Sequence, residues 1–304
     1  MAINTLEYAK IFQTELDKKM LETATSAWME SNAGQVKYNG GDEVRIPTIS
    51  LVGLGDYDRD NGYKQGAVTL GYETRKMTMD RGRAFMLDAM DVDETNFVVA
   101  AGMVMGEFQR IEVVPEVDAY RYSAIYKAAG ADHQTTYTAA AASIMDSLDA
   151  DITAIQDEIG DTEPLVVIIS RKVHAILNAA KNVDRYINVA EFQNGAVSTK
   201  VKTFNDIPLL DVPSARFKSA YTFDAGATKD AGGFAAADGA VDMNWIVIAR
   251  RAPIAVSKQD KVRIFTPDTY QNANAWKLDY RKYHDLWITD NALDAVRVNA
   301  PAKA

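Results

Sequence analysis

The sequence comprises 304 residues, 47% hydrophobic and 25% charged, with 42 acidic against 33 basic side chains and a formal net charge of −9. Such a composition supports a packed core, suggests about two domains and excludes disorder, while the acidic balance argues against a dedicated nucleic-acid binder, which needs clustered Lys and Arg. Without cysteine there is no disulfide, thiolate nucleophile or sulfur-ligated metal, which fits synthesis in a reducing cytoplasm.

The opening Met1-Ala2-Ile3-Asn4-Thr5 carries no basic region followed by an apolar run, and no apolar stretch approaches the ~18 residues that span a bilayer, so neither secretion nor a membrane is expected. Residues 4 to about 30 read as an amphipathic helix, with Asn4 as cap, Glu7 reaching back to it, and Phe12, Leu16, Met20, Ala24 and Trp28 on one stripe. That stripe is either packed on its own domain or laid as an arm on a neighbouring subunit. After the Asn39-Gly40-Gly41 turn the texture becomes that of strands. Val44, Ile46, Ile49 and Leu51 bracket Pro47, which marks an edge or a bulge. A polar tip follows from Gly53 to Gly62, and the return strand alternates Val68, Leu70, Tyr72 and Thr74 against Thr69, Glu73, Arg75 and Met77. An isolated hairpin is marginal in water, so this one needs a surface, for which a partner subunit is a natural candidate.

The longest element is a helix from Asp93 to about Lys127. Asp93-Glu94-Thr95-Asn96 supply acceptors for its first amides. Phe97, Ala101, Val104, Phe108 and Ile111 line one face, and Glu107, Arg110, Glu112 and Glu116 fall mostly on the other. Pro115 should bend this spine without abolishing it, and Gly130 should stop it. An α/β block follows over 135–255. It has a helix from Thr138 to Ile159 with Ile144, Leu148, Ile152 and Ile155 on one face, and a doubly buried strand Leu165–Ile169. A helix at Arg171–Ala180, strands at Pro208–Val212 and Trp245–Ile248, and a Gly/Ala-rich loop at Asp224–Ala240 complete it. Strand texture returns at Ile254–Phe265, at Trp276, Leu278 and Tyr280, and at Leu286-Trp287-Ile288. The order predicts an α+β architecture with one domain inserted in another.

Catalytic signals are weak. Asp56, Asp58 and Asp60 resemble the start of a calcium loop, but the sixth and twelfth positions hold Asn61 and Ala67, so a solvated or salt-bridging tip is the better reading. The three histidines, His133, His174 and His284, have no partners at ligand spacing and read as neutral structural residues. No nucleophile elbow, phosphate loop or dinucleotide turn is present. An enzyme reading would place a site around Ser170, Arg171 and His174 at the end of strand 165–169. The basic cluster Arg75, Lys76, Arg81 and Arg83 is interleaved with Glu73, Asp80 and Asp88, which favours charge pairing within or between subunits over nucleic-acid contact. Neither a metal nor a cofactor is expected.

Several stretches carry a resemblance. They are Val36-Lys37-Tyr38-Asn39-Gly40-Gly41 into Val44-Arg45-Ile46-Pro47, Gly53-Leu54-Gly55-Asp56-Tyr57-Asp58-Arg59, Asp80-Arg81-Gly82-Arg83-Ala84-Phe85 before Asp91-Val92-Asp93-Glu94-Thr95, and Tyr280-Arg281-Lys282-Tyr283-His284-Asp285-Leu286-Trp287. In this order of parts the chain resembles the major capsid protein of tailed bacteriophages, the Hong Kong phage capsid fold also used by encapsulin shells. The resemblance implies an N-arm (1–37), an extended hairpin loop (38–88), a peripheral domain with the spine (89–135 and 256–304) and an axial domain (136–255). It implies a structural, non-enzymatic protein whose hexamers and pentamers close into an icosahedral shell around double-stranded DNA held without specific binding. The virion, assembled in the host bacterial cytoplasm, is the expected location. The start so close to the arm suggests a separate scaffolding protein or a matured chain, with portal and decoration proteins as further partners. Expected assembly contacts are Phe12 and Trp28 in the arm, Tyr57, Asp58, Arg59 and Lys64 at the tip, and Arg75, Arg81 and Arg83. Lys64 lies where some relatives cross-link, though nothing supplies an acceptor. An encapsulin-like compartment with protein cargo is the alternative.

Overall fold

The computed structural model describes residues 24–38, 42–60, 62–90, 98–180, 187–194, 197–228 and 231–303. Phe12 and most of the arm stripe, and the Asp93–Asn96 helix start, lie outside the described residues.

The largest unit is a seven-stranded sheet in the order β5-β15-β12-β6-β9-β8-β7. Its strands are β5 (Gln134–Thr136), β6 (Leu165–Ser170), β7 (Ile187–Asn194), β8 (Val197–Phe204), β9 (Ile207–Val212), β12 (Trp245–Ala249) and β15 (Val296–Ala300). Every residue of β6 and β12 is buried, as expected of strands covered on both faces. Helix α3 (Ile144–Ile159) puts Ile144, Leu148, Ile152 and Ile155 into this core, each buried side chain contributing about 1.5–3 kcal/mol. Asp151 ties the helix to the sheet, accepting from the Trp245 indole at 2.7 Å and the Asn299 amide at 3.1 Å. Helix α4 (Arg171–Asn178) follows β6 directly.

A three-stranded antiparallel sheet in the order β13-β14-β4 forms the second unit. It consists of β13 (Pro253–Phe265), β14 (Ala275–Ile288) and β4 (Met79–Asp88). One face carries Arg81, Arg83, Phe85 and Leu87 opposite Lys282, Tyr280, Leu278 and Trp276. Helices α1 (Val98–Phe108) and α2 (Val114–Ala129) lie over it, joined by one π turn at Gln109–Val113. Met105, Leu278 and Tyr280 are buried between the layers, and Phe108 sets its ring edge-on to Phe85 at 4.9 Å. Hairpin strands β2 (Glu43–Leu51) and β3 (Val68–Lys76) pair from Glu43↔Lys76 to Leu51↔Val68, with the short β1 (Lys37–Tyr38) alongside the base. Val44 and Ile46 bury that base against Ile254, Val256 and Tyr283. Beyond the reach of β1, no strand among the described residues pairs with Pro47 on its second side, so its missing amide breaks no ladder there.

Several expectations are corrected. Residues 27–35 form a 3₁₀ rather than an α-helix, because Thr25 and Ser26 are drawn to Asp118 and the Asn32 amide donates to the carbonyls of Arg250 and Pro253. The spine passes through a π turn at Gln109–Val113 just before Pro115, whose ring cannot accept an ordinary helical neighbour one turn back. Its buried face differs from the expected stripe: Met105 and Gln109 are buried, while Val104 and Ile111, expected on the core stripe, are 37% and 49% exposed. Residues 79–88 leave the expected hairpin segment and pair with β14. The expected loop at 224–240 contains β11 (Phe234–Ala236), paired with β10 (Tyr221–Phe223). Strands β7 and β8 form where no strand is expected, and the segment of β15, expected with the spine, joins the α/β sheet instead.

Candidate functional site

Residues directly opposite in an antiparallel pair share a face. On the hairpin, Pro47 opposes Tyr72, Ile49 opposes Leu70 and Leu51 opposes Val68. All six are exposed, with Leu51 at 69% and Leu70 at 73%. The other face carries Thr48, Ser50, Thr69 and Gly71, so the hairpin turns its apolar side outward. The tip continues the pattern with exposed Val52, Leu54 and Tyr63. Tyr57 and Tyr63 meet edge to face at 5.0 Å. Asp58 and Gly62 exchange backbone hydrogen bonds of 3.2 and 2.8 Å, and the Asp58 carboxylate accepts from the Asp60 amide at 2.9 Å, which shapes the turn. Arg59 and Lys64 are exposed beside it. The expected assembly contacts include these tip residues, whereas Ile49, Leu51, Leu70 and Tyr72 are expected only as strand residues; their alternation on both strands becomes one outward stripe only once the register is known.

The hairpin is pinned at its root. Tyr283 donates from its hydroxyl to the Met77 carbonyl at 3.2 Å, and the Met77 amide donates to the Asp42 carbonyl at 2.9 Å. The Tyr120 hydroxyl donates to Asp285 at 2.5 Å; burial, with the Asp285 charge beside it, pushes that phenol well above its ordinary pKa, so it remains a donor. Arg75 is paired with Glu73 and stands 3.5 Å from Asp290.

The arm leaves from a second buried anchor. Asp118, wholly buried on α2, accepts from the Thr25 hydroxyl at 2.9 Å, the Ser26 hydroxyl at 2.6 Å and Arg216 at 2.9 Å. Arg121, one turn on, is paired with Glu30. Trp28 is buried within this same chain, edge-on to Phe192 at 6.3 Å, so its ring offers no surface to a neighbour.

Arg81 and Arg83 line a cavity of about 540 Å³ between β4, the spine and the loop after β10. Arg81 holds Glu116 through Nε at 2.7 Å and donates to the carbonyls of Asp224 (2.7 Å) and Gly233 (3.1 Å). Arg83 donates to the Ala231 carbonyl at 2.6 Å. Both guanidiniums are thus engaged within the chain. His284 lines the same cavity; burial, then the charges of Arg121, Lys282 and Arg81, hold its imidazole well below the ordinary range.

At the end of β6, His174 contacts Asp211 through Nδ1, and Arg171 contacts the same carboxylate. Burial alone would raise the Asp211 pKa; its bonds to His174 and Arg171 outweigh that and hold it low. His174 Nε2 is buried without a hydrogen-bond partner, so no Ser170–His174 proton relay is formed. Among the described residues, no three Asp, Glu or His side chains are grouped to hold a metal ion, and no helix is long and apolar enough to cross a membrane.

No family model and no curated protein matches the chain in sequence. Its structure does have counterparts. It is similar to the mature capsid of bacteriophage PhiM1, with 14% identity over 88% of this chain and 84% of that one, at a TM-score of 0.57. The capsid of cyanophage P-SCSP1u gives 12% identity, 88% and 86% coverage, and a TM-score of 0.58. A virus-like particle from Pyrococcus furiosus gives 11% identity, 96% and 99% coverage, and 0.54. At such identities the likeness is one of fold: the chain has the fold of tailed-phage capsid proteins.

Proposed function

We propose that this chain is the major capsid protein of a tailed bacteriophage, a structural subunit without catalytic activity. The observation that carries the reading is the hairpin's outward apolar stripe, Pro47, Ile49, Leu51, Val68, Leu70 and Tyr72, on a chain with a shell protein's fold. An exposed patch of this kind marks a protein–protein contact, and a second copy is the partner a shell requires. In this reading residues 1–37 are the arm, the hairpin segment within 38–88 lies on a neighbouring subunit, 89–135 with 256–304 form the peripheral domain, and 136–255 the axial domain. Hexamers and pentamers close an icosahedral shell in the host cytoplasm. The net charge of −9 suits a container that holds double-stranded DNA without gripping it. Scaffolding, portal and decoration proteins are its assembly partners.

Sedimentation of the purified protein with negative-stain microscopy tests the reading. Closed shells, rings or tubes are expected, and nuclease-protected DNA inside particles taken from producing cells. A chain that stays monomeric even with its scaffolding protein supplied would overturn it. The likeness to the Pyrococcus furiosus virus-like particle favours one second reading, an encapsulin-like compartment, for which particles would contain a cargo protein and no protected DNA.

A further inference from the structure

Helix α1 (Val98–Phe108) reads Val-Val-Ala-Ala-Gly-Met-Val-Met-Gly-Glu-Phe, with one charged residue in its 11. A helix that is apolar all round is normally covered all round. α1 is covered on the sheet side, where Met105 is buried with Leu278 and Tyr280 and Phe108 meets Phe85. On its other side Met103 is 68% exposed and Val104 37%, and Ile111 in the π turn is 49% exposed. Their spacing sets these three on one face together with Glu107, which is ion-paired to Arg110. The hairpin and its tip aside, the exposed large apolar side chains among the described residues are Met86, Met90, Met103, Val104, Ile111 and Val189. Half of them therefore belong to this single face, which is more than scattered surface apolarity requires.

The N-terminal segment starts beside that face. Ala24 shares a small crevice with Val113, Val114 and Val117, where α1 and its π turn end. This point is fixed: the Ala24 carbonyl accepts from the Asn194 amide at 2.7 Å, and the Thr25 hydroxyl donates to Asp118 at 2.9 Å. Residues 4–23 lie outside the described residues, and their sequence carries the stripe Phe12, Leu16 and Met20 that continues to Ala24. At 1.5 Å per residue, a helix from Phe12 to Ala24 is about 18 Å long, against about 22 Å from Val98 to Val113. Both run toward the crevice, so they can lie side by side and parallel. Counting back from Ala24 then brings Met20 to the level of Ile111 and Leu16 to that of Val104 and Glu107.

We infer that residues 4–23 dock as an amphipathic helix along the outward face of α1 of their own chain, with Phe12, Leu16 and Met20 covering Met103, Val104 and Ile111. Position selects this occupant. Tethered at Ala24, the stripe is held at an effective concentration on the order of millimolar, which a separate chain has to exceed. The docked segment completes the apolar layer of the spine, and the hairpin stripe is left as the apolar surface for other copies. This docking belongs to the single chain and holds whether or not copies build a shell.

The chain lacks cysteine, so Leu16→Cys and Val104→Cys in one full-length chain create a pair that a short bis-maleimide can join. A cross-link within one chain is expected, with a yield that dilution leaves unchanged. Leu54→Cys at the exposed tip, in place of Val104→Cys, should give none. As a second readout, Val104→Asp and, separately, Leu16→Asp should each raise the rate of protease cleavage within residues 4–23 roughly tenfold, the effect of losing one buried aliphatic contact. Cross-links that form only between chains and fade on dilution would assign the face to another copy and overturn docking in cis. Equal cross-linking to position 54 would show that the segment has no fixed seat, and overturns it as well. So does a Val104→Asp chain whose segment is cut at the wild-type rate, or one cut faster throughout with a lowered urea midpoint, which is what a role in the fold alone predicts.

Discussion

Asp285 accepts hydrogen bonds from both the amide of Thr78, at 2.8 Å, and its hydroxyl, at 3.0 Å, where the chain leaves the projecting hairpin and turns into β4. The buried carboxylate thus fixes the direction in which the whole hairpin points. Asp285→Ala would leave the Thr78 amide and the Tyr120 hydroxyl without their acceptor. A cost of about 2–4 kcal/mol is expected, together with faster hydrogen exchange of the hairpin amides while those of β6 and β12 slow or speed only with global stability. Equal changes in all strands would contradict a hinge role.

A comparable anchor holds the start of the arm. Asp118→Ala removes the acceptor of Thr25 and Ser26 and leaves the half-buried Arg216 without its ion pair. Breaking one partner of a buried network costs about 3–5 kcal/mol, read as a lower urea midpoint. Protease cleavage near residue 26 should rise with it; an arm no more cleavable than in the wild type would show that Asp118 serves the core alone.

What the sequence made legible was local periodicity. The stripe Ile144, Leu148, Ile152 and Ile155, the run Leu165–Ile169 and the hairpin strands each announce themselves within one window, and each is where the pattern puts it. Strand β4 does not, because Arg81 and Arg83 occupy its inward positions, where Glu116 and the distant carbonyls of Asp224, Ala231 and Gly233 receive their guanidiniums. The spine's buried face was misjudged for a related reason: Asp118 and Arg121 are inside it, paid for by partners 90 or more residues away in sequence. Hairpin β7–β8 does carry a local signal in the sequence, Asn194-Gly195 between alternating segments. The assembly candidates split along the same line. The exposed tip could be read from composition, whereas Trp28, Arg81 and Arg83 look like surface chemistry until their intramolecular partners are seen.

Acid should weaken the fold through His284. Its imidazole faces Tyr120 and Arg121 from α2, Arg81 from β4 and Lys282 from its own strand, and it is held well below its ordinary range by burial first and those charges second. The unfolded chain protonates near pH ~6.5. Above that pH both states are neutral and the full stability is present. As pH falls through it, the unfolded chain takes up a proton that the folded chain refuses, so stability drops by up to ~1.4 kcal/mol per pH unit. The carboxylates held low, Glu30 and Asp211 among them, lose their contribution only near pH ~4 and below. Urea midpoints between about pH 7.5 and 5.5 should therefore fall in the wild type and stay flatter in His284→Gln. Parallel slopes would refute the assignment.

The hairpin stripe separates assembly from folding. Ile49 and Leu70 oppose each other at 57% and 73% exposure, so in the single chain they bury little. Replacing both by threonine keeps the preference for strand geometry and removes the apolar contact. The isolated subunit should unfold within about 1 kcal/mol of the wild type. Under the proposal that the hairpin lies on a neighbouring subunit, the same two side chains would be buried at every hairpin contact, and losing them would cost about 2–4 kcal/mol per contact, raising the concentration needed for assembly roughly thirtyfold or more. Ser50→Ala, on the polar face, is the matched control and should assemble as the wild type does. Sedimentation velocity across a concentration series reads both arms. Normal assembly of the double threonine variant would show that the stripe faces solvent in the shell, and the contact between copies would then have to lie elsewhere on the chain.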